Sequence, residues 1–325
     1  MLVVVDAGRP TTDPGADTAM TSALSMREVW RRFRTRRVPM VAAALLTLIV
    51  IMAFGSDLLL ARDYADHDPL IRNQPPLSGH GLLGTDQFGR DILARLLFGI
   101  RLSVGAAAFA VSVQLTIGVP LGLLAGYRGG WVDSLAMRSV DVVLAVPGLL
   151  IAMIIGLNIK EQIREGSGAF AGLLRRVDDL TAGLTPVMVV ITLFFWVTMA
   201  RLVRGEVRAL VQRDYVRAAR GLGAGHVRII AHHLLRNCVG PIMVAVTLVV
   251  PISMLTESAM SLVGVGVDAP RPSLGLLIFD GAQQINSFPY QTLVPAVAFA
   301  LLVLLTTFAG DGLRAALDPA ADQER

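Results

Sequence analysis

The sequence predicts an all-α integral membrane protein that crosses the bilayer six times. Three observations predict it. The 325-residue chain is 54% hydrophobic with a mean hydropathy of +0.62, more apolar matter than a soluble protein needs for its interior. Six stretches stay apolar over the ~20 residues that a helix needs to cross a hydrocarbon core of ~30 Å. Arginines gather in one alternate set of connecting segments, while the other set is balanced in charge. Backbone groups in lipid must be satisfied internally, so these stretches are helices and not open strands.

Residues 1–25 are mostly small or polar and lack a basic stretch followed by an apolar core, so they read as a disordered tail and not as a signal peptide. Met20 and Met26 each offer an alternative start. Residues 26–37 are a basic juxtamembrane segment, with Arg27, Arg31, Arg32, Arg34, Arg36 and Arg37 against Glu28. The first span is expected over 38–60, with Asp57 near its outer end. In the connecting segment 61–101, Asp63, Asp66, Asp68, Asp86 and Asp91 balance Arg62, Arg72, Arg90, Arg95 and Arg101.

A core of five further spans fills 102–312. The second span is expected from Leu102 to Tyr127, with Gly118 and Pro120 inside; the third from Ser139 to Leu157, with Asp141 at its mouth and Pro147 inside. The fourth runs from Leu184 to Leu202, the fifth from Gly240 to Val265 with Pro251 and Glu257 inside, and the sixth from Thr292 to Ala309. Residues 313–325 form a tail. Between the third and fourth spans, Phe170 to Val177 reads as a short amphipathic helix after a flexible Gly-Ser-Gly break.

The loop 204–239 carries Arg204, Arg208, Arg213, Arg217, Arg220, Arg228 and Arg236 against Glu206 and Asp214. The positive-inside rule places this loop and both termini in the cytoplasm, and 61–101, 158–183 and 266–291 outside. Within the loop, Asp214 to Ala224 reads as a short helix. Ala218 and Ala219 are small enough for close approach to a partner surface, and Gly223 allows a sharp turn after it. An interfacial helix held by anionic lipid is the alternative.

Several chemistries are excluded. The net charge of +4 is almost all arginine beside apolar runs, the pattern of juxtamembrane loops and not of a nucleic-acid surface. The single cysteine, Cys238, permits no internal disulfide. His226, His232 and His233 lack the thiols or carboxylates that would complete a metal site. The spans carry no paired nucleophile and base, and no Gly-rich phosphate loop with a lysine exists, because the only lysine is Lys160. The chain is therefore neither an enzyme nor an ATPase, and it holds no cofactor of its own.

Four patches, in order, resemble a permease subunit of the dipeptide/oligopeptide class of ABC importers over residues 27 to 319. They are Leu83-Gly84-Thr85-Asp86-Gln87-Phe88-Gly89-Arg90-Asp91-Ile92-Leu93-Ala94-Arg95; Gly118 through Tyr127 followed by Gly130-Trp131-Val132-Asp133; the 214–224 loop with Arg201-Leu202-Val203-Arg204-Gly205 before it; and Glu257 through Val267 followed by Pro270, Pro272, Ser273 and Gly275. Gly310 through Pro319 also fits.

The resemblance implies the six-helix type I ABC importer permease fold in a bacterial cytoplasmic membrane. It implies a coupling helix for a motor subunit, formed by Tyr215, Arg217, Ala218, Ala219, Gly221, Gly223 and Ala224. The implied partners are a second, homologous permease, two ATPases that bind ATP and Mg, and an extracytoplasmic solute-binding protein. Di- and oligopeptides are the implied cargo; nickel chelates, haem and glutathione are alternatives that use similar machinery. Importers at large begin the coupling motif with Glu-Ala-Ala, whereas this chain has Arg217 before Ala218 and Ala219, and Arg236 follows Leu234-Leu235 where the family often has proline. The segment 158–183 is also longer than the family leads one to expect.

Glu257, Ser261, Gly264 and Gly266 are candidates for the pathway or its gate. Glu257 would lie near the path or in a helix–helix hydrogen bond; a structural glutamate near the outer interface and a plain helix cap at the glycines are the alternatives. Asp86, Arg90 and Asp91 would contact the binding protein, or form an ion pair in a turn whose helix is capped by Thr85 or Asp86. A secondary transporter is the rival class. It would need a relay of intramembrane charges, and only Glu257 and Asp141 qualify.

Overall fold

A computed structural model describes residues 26–60, 62–79 and 81–317. The expected disordered tail, 1–25, and the end of the expected C-terminal tail lie outside the described residues. Among the described residues every regular element is helical, apart from one isolated bridge between Thr85 and Asp91.

The helix α1 (Met26–Thr35) lies against the end of the chain, burying Val29 and Phe33 on Ala316. The first crossing helix, α2 (Arg37–Phe54), is peripheral, and Leu45, Leu48 and Ile51 are exposed as a lipid-facing surface requires. It breaks at Gly55 and resumes as a single turn, Ser56–Leu59, so the helical stretch all but reaches the expected end at 60. Arg101 donates to the Ala53 carbonyl at 2.9 Å and to Ser56 Oγ at 2.7 Å, and pairs with Asp57 at 3.1 Å. A guanidinium thus supplies the donors that the last turn lacks.

The second crossing helix, α3 (Ile92–Arg128), begins ten residues before the expected Leu102. Asp91 Oδ1 accepts from the amides of Leu93 at 2.7 Å and Ala94 at 3.3 Å, which starts the helix there; the cap is Asp91, and not Thr85 or Asp86. The helix widens to a π turn at Gln114–Gly118, just before Pro120, which has no amide to continue the regular ladder.

The third span is two helices, α4 (Gly130–Ala145) and α5 (Gly148–Arg164), bent by 87°. Pro147 fixes its own φ at −66° and forces Val146 into extended backbone at ψ 138°, so the helix stops instead of bridging its proline. The amphipathic α6 (Ala169–Leu180) follows. The next crossing helix, α7 (Thr185–Val211), runs past the expected Leu202, and α8 (Asp214–Gly221) is the short helix of the arginine loop. The helix α9 (His226–Leu262) starts far ahead of Gly240, because it continues as a polar helix beyond the apolar stretch. Then α10 (Leu274–Ala282) and α11 (Tyr290–Leu317) complete the described residues. Among the described residues five helices are thus long and apolar enough to cross a membrane, and the bent pair α4–α5 makes a sixth crossing if its two helices are one broken span.

The tightest seam joins α3 to α7. Gly118, Gly122 and Gly126, four residues apart, lie on one face of α3. A Cβ added at Gly118 would fall 2.8 Å from Met199 Cβ, at Gly122 2.7 Å from the Ala200 carbonyl oxygen, and at Gly126 2.8 Å from Val207 Cβ. Hydrogen in place of side chains lets the two backbones meet, the small-residue packing that membrane helices use where no hydrophobic force separates protein from lipid. Asp133 on α4 locks the assembly from outside, accepting from Arg204 and, at 2.7 Å, from Arg208 of α7. Asp141 pairs with Arg201 at 2.5 Å. One apolar core groups Ala106, Val187 and Val249; a second groups Val119, Val203 and Cys238 nearer α8.

Candidate functional site

Two ends of the bundle carry the candidate residues. At one end, α8 projects from the loop between α7 and α9. Val216 is fully buried with Val207, Ile229 and Leu234, so one side chain roots the short helix in the bundle. The rest faces outward: Tyr215, Arg217 and Ala218 are exposed, Ala219 is half-buried and Leu222 is 90% exposed. Arg217 reaches Asp214 only at 3.9 Å.

Gly223 ends the helix. Its φ of +83° is left-handed, its amide donates to the Arg220 carbonyl at 3.1 Å, and the Ala224 amide donates to the Ala219 carbonyl at 3.0 Å. This is the glycine-closed C-terminus in which a left-handed residue redirects the chain and satisfies the last carbonyls. Gly221 faces open space, with no packing reason to be glycine. The loop is tied to α3 by Tyr127, whose hydroxyl lies 2.7 Å from His226 Nδ1 while Arg220 rests over its ring at 5.7 Å. On the other side, Tyr215 receives Asn237 Nδ2 at 3.4 Å, and burial raises its hydroxyl pKa above the ordinary tyrosine value.

At the opposite end, Glu257 is completely buried between α3 and α9. Ser103 donates to Oε2 at 2.8 Å, Ser261 to Oε1 at 2.9 Å, and Ser258 to Oε2 at 3.5 Å. A carboxyl group in an apolar bundle needs such donors. The helix stops just beyond, with the closure seen at Gly223. Gly264 has φ +82°, and the Val265 amide donates to the Met260 carbonyl at 2.9 Å. Lys160 of α5 then clamps this turn: Nζ donates to the carbonyls of Gly264 at 2.8 Å and Gly266 at 2.9 Å and pairs with Asp268 at 2.7 Å. Gly266 packs directly on Ser261, where no side chain would fit.

In the turn before α3, Asp86 accepts from the amides of Phe88 at 2.8 Å and Arg90 at 2.9 Å and pairs with Arg90 Nε at 2.6 Å. Thr85 beside it is fully buried, its carbonyl accepting from Tyr290 and from Gln291, each at 3.2 Å. Asp86 and Asp91 therefore build the turn, and Arg90 is the member of that trio that lines the larger cavity. Arg90, Ser261 and Gly264 all border one cavity of about 920 Å³. Glu257 does not border it. The cavity thus brings one of the three outer-turn candidates beside two of the four gate candidates, and leaves Asp86, Asp91, Glu257 and Gly266 off its wall.

Residues 118–323 match the family described as "Binding-protein-dependent transport system inner membrane component", and residues 25–76 match the N-terminal transmembrane domain of oligopeptide transport permease C. The chain belongs to this inner-membrane permease family. The permease is 36% identical over 296 residues to the glutathione transport system permease protein GsiD of Pectobacterium atrosepticum, covering 90% of each chain. It is 34% identical to the dipeptide transport system permease protein DppC of Alkalihalophilus pseudofirmus, covering 95% of this chain and 94% of that one. It is 33% identical to the oligopeptide transport system permease protein OppC of Bacillus subtilis, over 94% of this chain and 93% of that one. Among solved structures, an inward-facing form of the MetNI methionine ABC transporter superposes with a TM-score of 0.50 at 19% identity, covering 69% of this permease and 96% of that chain. The fold is that of a type I ABC importer permease.

Two features of the site are hidden in the sequence. The Lys160 clamp joins residues more than a hundred positions apart. The Asp133–Arg204 lock lies within two of the quoted patches without announcing a contact. The glycine seam carries a signal that can be read, since Gly118, Gly122 and Gly126 stand at a spacing that marks close helix packing.

Proposed function

We propose that the permease forms half of the solute pathway of an ATP-driven importer, moving di- or oligopeptides delivered by an extracytoplasmic binding protein. Both termini and α8 lie in the cytoplasm, and the Gly264 turn, α6 and α10 lie outside. A second, homologous permease completes the pathway. Two ATPase subunits hold ATP and Mg; this chain holds neither, and it binds lipid but no nucleic acid. Alternating access follows from two rigid arrangements that the motor favours in turn.

The observation that carries this reading is the form of α8. One buried valine anchors it, Gly223 closes it, and Arg217, Ala218 and Leu222 remain uncovered. An exposed leucine among small residues and arginines is the surface that a groove on a motor subunit would cover, and its tie to α3 through Tyr127 and His226 would carry motion into the bundle. The test is purification of the permease from native membrane with its partners, followed by replacement of the phosphate-loop lysine in the ATPase. Transport should stop. Transport that persists without any ATPase, driven by a proton gradient, would support the secondary-transporter reading instead. A second cargo, glutathione, is favoured by the 36% identical relative, whose name specifies glutathione transport. Competition between labelled dipeptide and glutathione in the same vesicles separates the two.

A further inference from the structure

The cavity of about 920 Å³ beside the Gly264 turn falls in the size range of small-molecule sites, about 300–1,000 Å³. Some charges on its wall are already matched: Lys160 and Arg164 share Asp268 at 2.7 and 3.0 Å, and Arg90 is held by Asp86. Glu161, Glu165 and Arg271 also line it without an ion pair among the described residues, both glutamates being exposed to solvent. Arg95 and Asp280 are two further charges on the wall, near enough to act on each other. Arg95, on the first turn of α3, is 2% exposed, and its Nε has no hydrogen-bond partner. Its nearest carboxylate oxygen, on Asp86, is 3.6 Å away and already engaged by Arg90, and its single bond is a long one of 3.4 Å to the Pro270 carbonyl. Asp280, on α10, also lines the cavity and is half-buried, yet it makes no hydrogen bond or ion pair among the described residues.

A buried guanidinium with an idle donor is costly, and native proteins rarely leave one without a purpose. Its planar fork matches a carboxylate. A ligand carrying only a carboxylate would be repelled by Asp280, and one carrying only an ammonium would be repelled by Arg95. A ligand carrying both satisfies both.

We propose that this cavity is a transit site for a zwitterionic solute, whose carboxylate is taken by Arg95 and whose ammonium is taken by Asp280, between delivery at the Arg90 turn and entry beside Ser261. Burial raises the Asp280 carboxyl above the ordinary aspartate range while Arg95 and Arg90 pull it down, so a bound ammonium would favour its charged form further. The site rests on the peptide-importer reading above and adds to it the residues that would read the two charged ends of the cargo. The competing arrangement is purely internal: a void of about 20 Å³ also lies between Arg95 and Asp280, room for one bridging water.

The complete transporter, with its partner permease, ATPases and binding protein, is reconstituted in vesicles, and dialanine taken up per ATP hydrolysed is measured. Asp280→Asn and Arg95→Lys should each lower that ratio about tenfold, the loss expected for one charged hydrogen bond to the ligand, while ATP hydrolysis stimulated by loaded binding protein is unchanged. An unchanged ratio in Asp280→Asn overturns the proposal. Failure of Asp280→Asn to assemble also overturns it, because that result marks an internal, water-bridged pair. A wild-type complex that hydrolyses ATP but imports no dialanine removes the peptide reading itself, and this site with it.

Discussion

The Tyr127 hydroxyl lies 2.7 Å from His226 Nδ1, joining the last turn of α3 to the first residue of α9 across the base of the arginine loop. The pair lies at the surface, where a hydrogen bond contributes about 0.5–1.5 kcal/mol net. Tyr127→Phe should therefore speed amide exchange over residues 222–228 by about two- to tenfold without unfolding the bundle. Unaltered exchange would show that the loop is held without the Tyr127 hydroxyl, by Val216 and the Tyr215–Asn237 contact.

Arg217 stands where importers at large place glutamate, and it is exposed with a weak partner in Asp214. The facing surface of the ATPase is expected to be acidic or neutral. Arg217→Glu should then weaken the stimulation of ATP hydrolysis by substrate, and the loss should deepen at low salt, where repulsion is less screened. Full coupling in that variant would remove the idea.

Gly223 has a left-handed φ and donates its amide to Arg220. Proline can supply neither that angle nor that donor, so Gly223→Pro should cost about 3 kcal/mol or more locally. Gly223→Ala should cost about 1–2 kcal/mol. Pull-down of the ATPase should fall in the order wild type, Arg220→Ala, Gly223→Pro. Equal retention by the last two would count against a role for the turn in assembly.

The hydroxyls of Ser103 and Ser261 both point at Glu257. Glu257→Gln keeps the shape and one acceptor and should assemble nearly as well as wild type. Glu257→Leu strands the hydroxyls, which can fall back only on their own helix carbonyls, at about 1–3 kcal/mol. The thermal midpoint of the purified protein reads the difference. Equal destabilisation by both would make the charge itself, and not hydrogen bonding, the requirement.

At Gly122 an added methyl meets the Ala200 carbonyl oxygen. Gly122→Ala should destabilise by about 1–3 kcal/mol through overpacking, and Gly122→Val should block assembly. Recovery of intact complex with valine there would mean that the α3–α7 seam opens freely.

The all-helical membrane fold and the order of its apolar helices were legible because few segments other than membrane helices stay apolar over a spanning length. The ends of helices were not. Asp91 starts α3 ten residues before the apolar stretch, and Arg101 binds the Ala53 carbonyl at the break after α2; both are side-chain acts on backbone groups that hydropathy does not register. The right angle at Pro147 was half-legible: the proline is visible, but whether neighbours repair the break is a tertiary matter. At the candidate site, the glycine at 223 announced its turn. The isolation of Arg95 and Asp280 was hidden, since a sequence shows a charge and not what lies beside it.

The seam of Gly118, Gly122 and Gly126 has one more consequence. Side-chain layers act as cushions: a shove on one helix is partly absorbed as rotamers yield before its neighbour stirs. Where main chain rests on main chain, that compliance is gone. The helix entering the arginine loop and the helix holding Ser103 have little room to slide past one another at these three glycines, so a push on one is passed to the other.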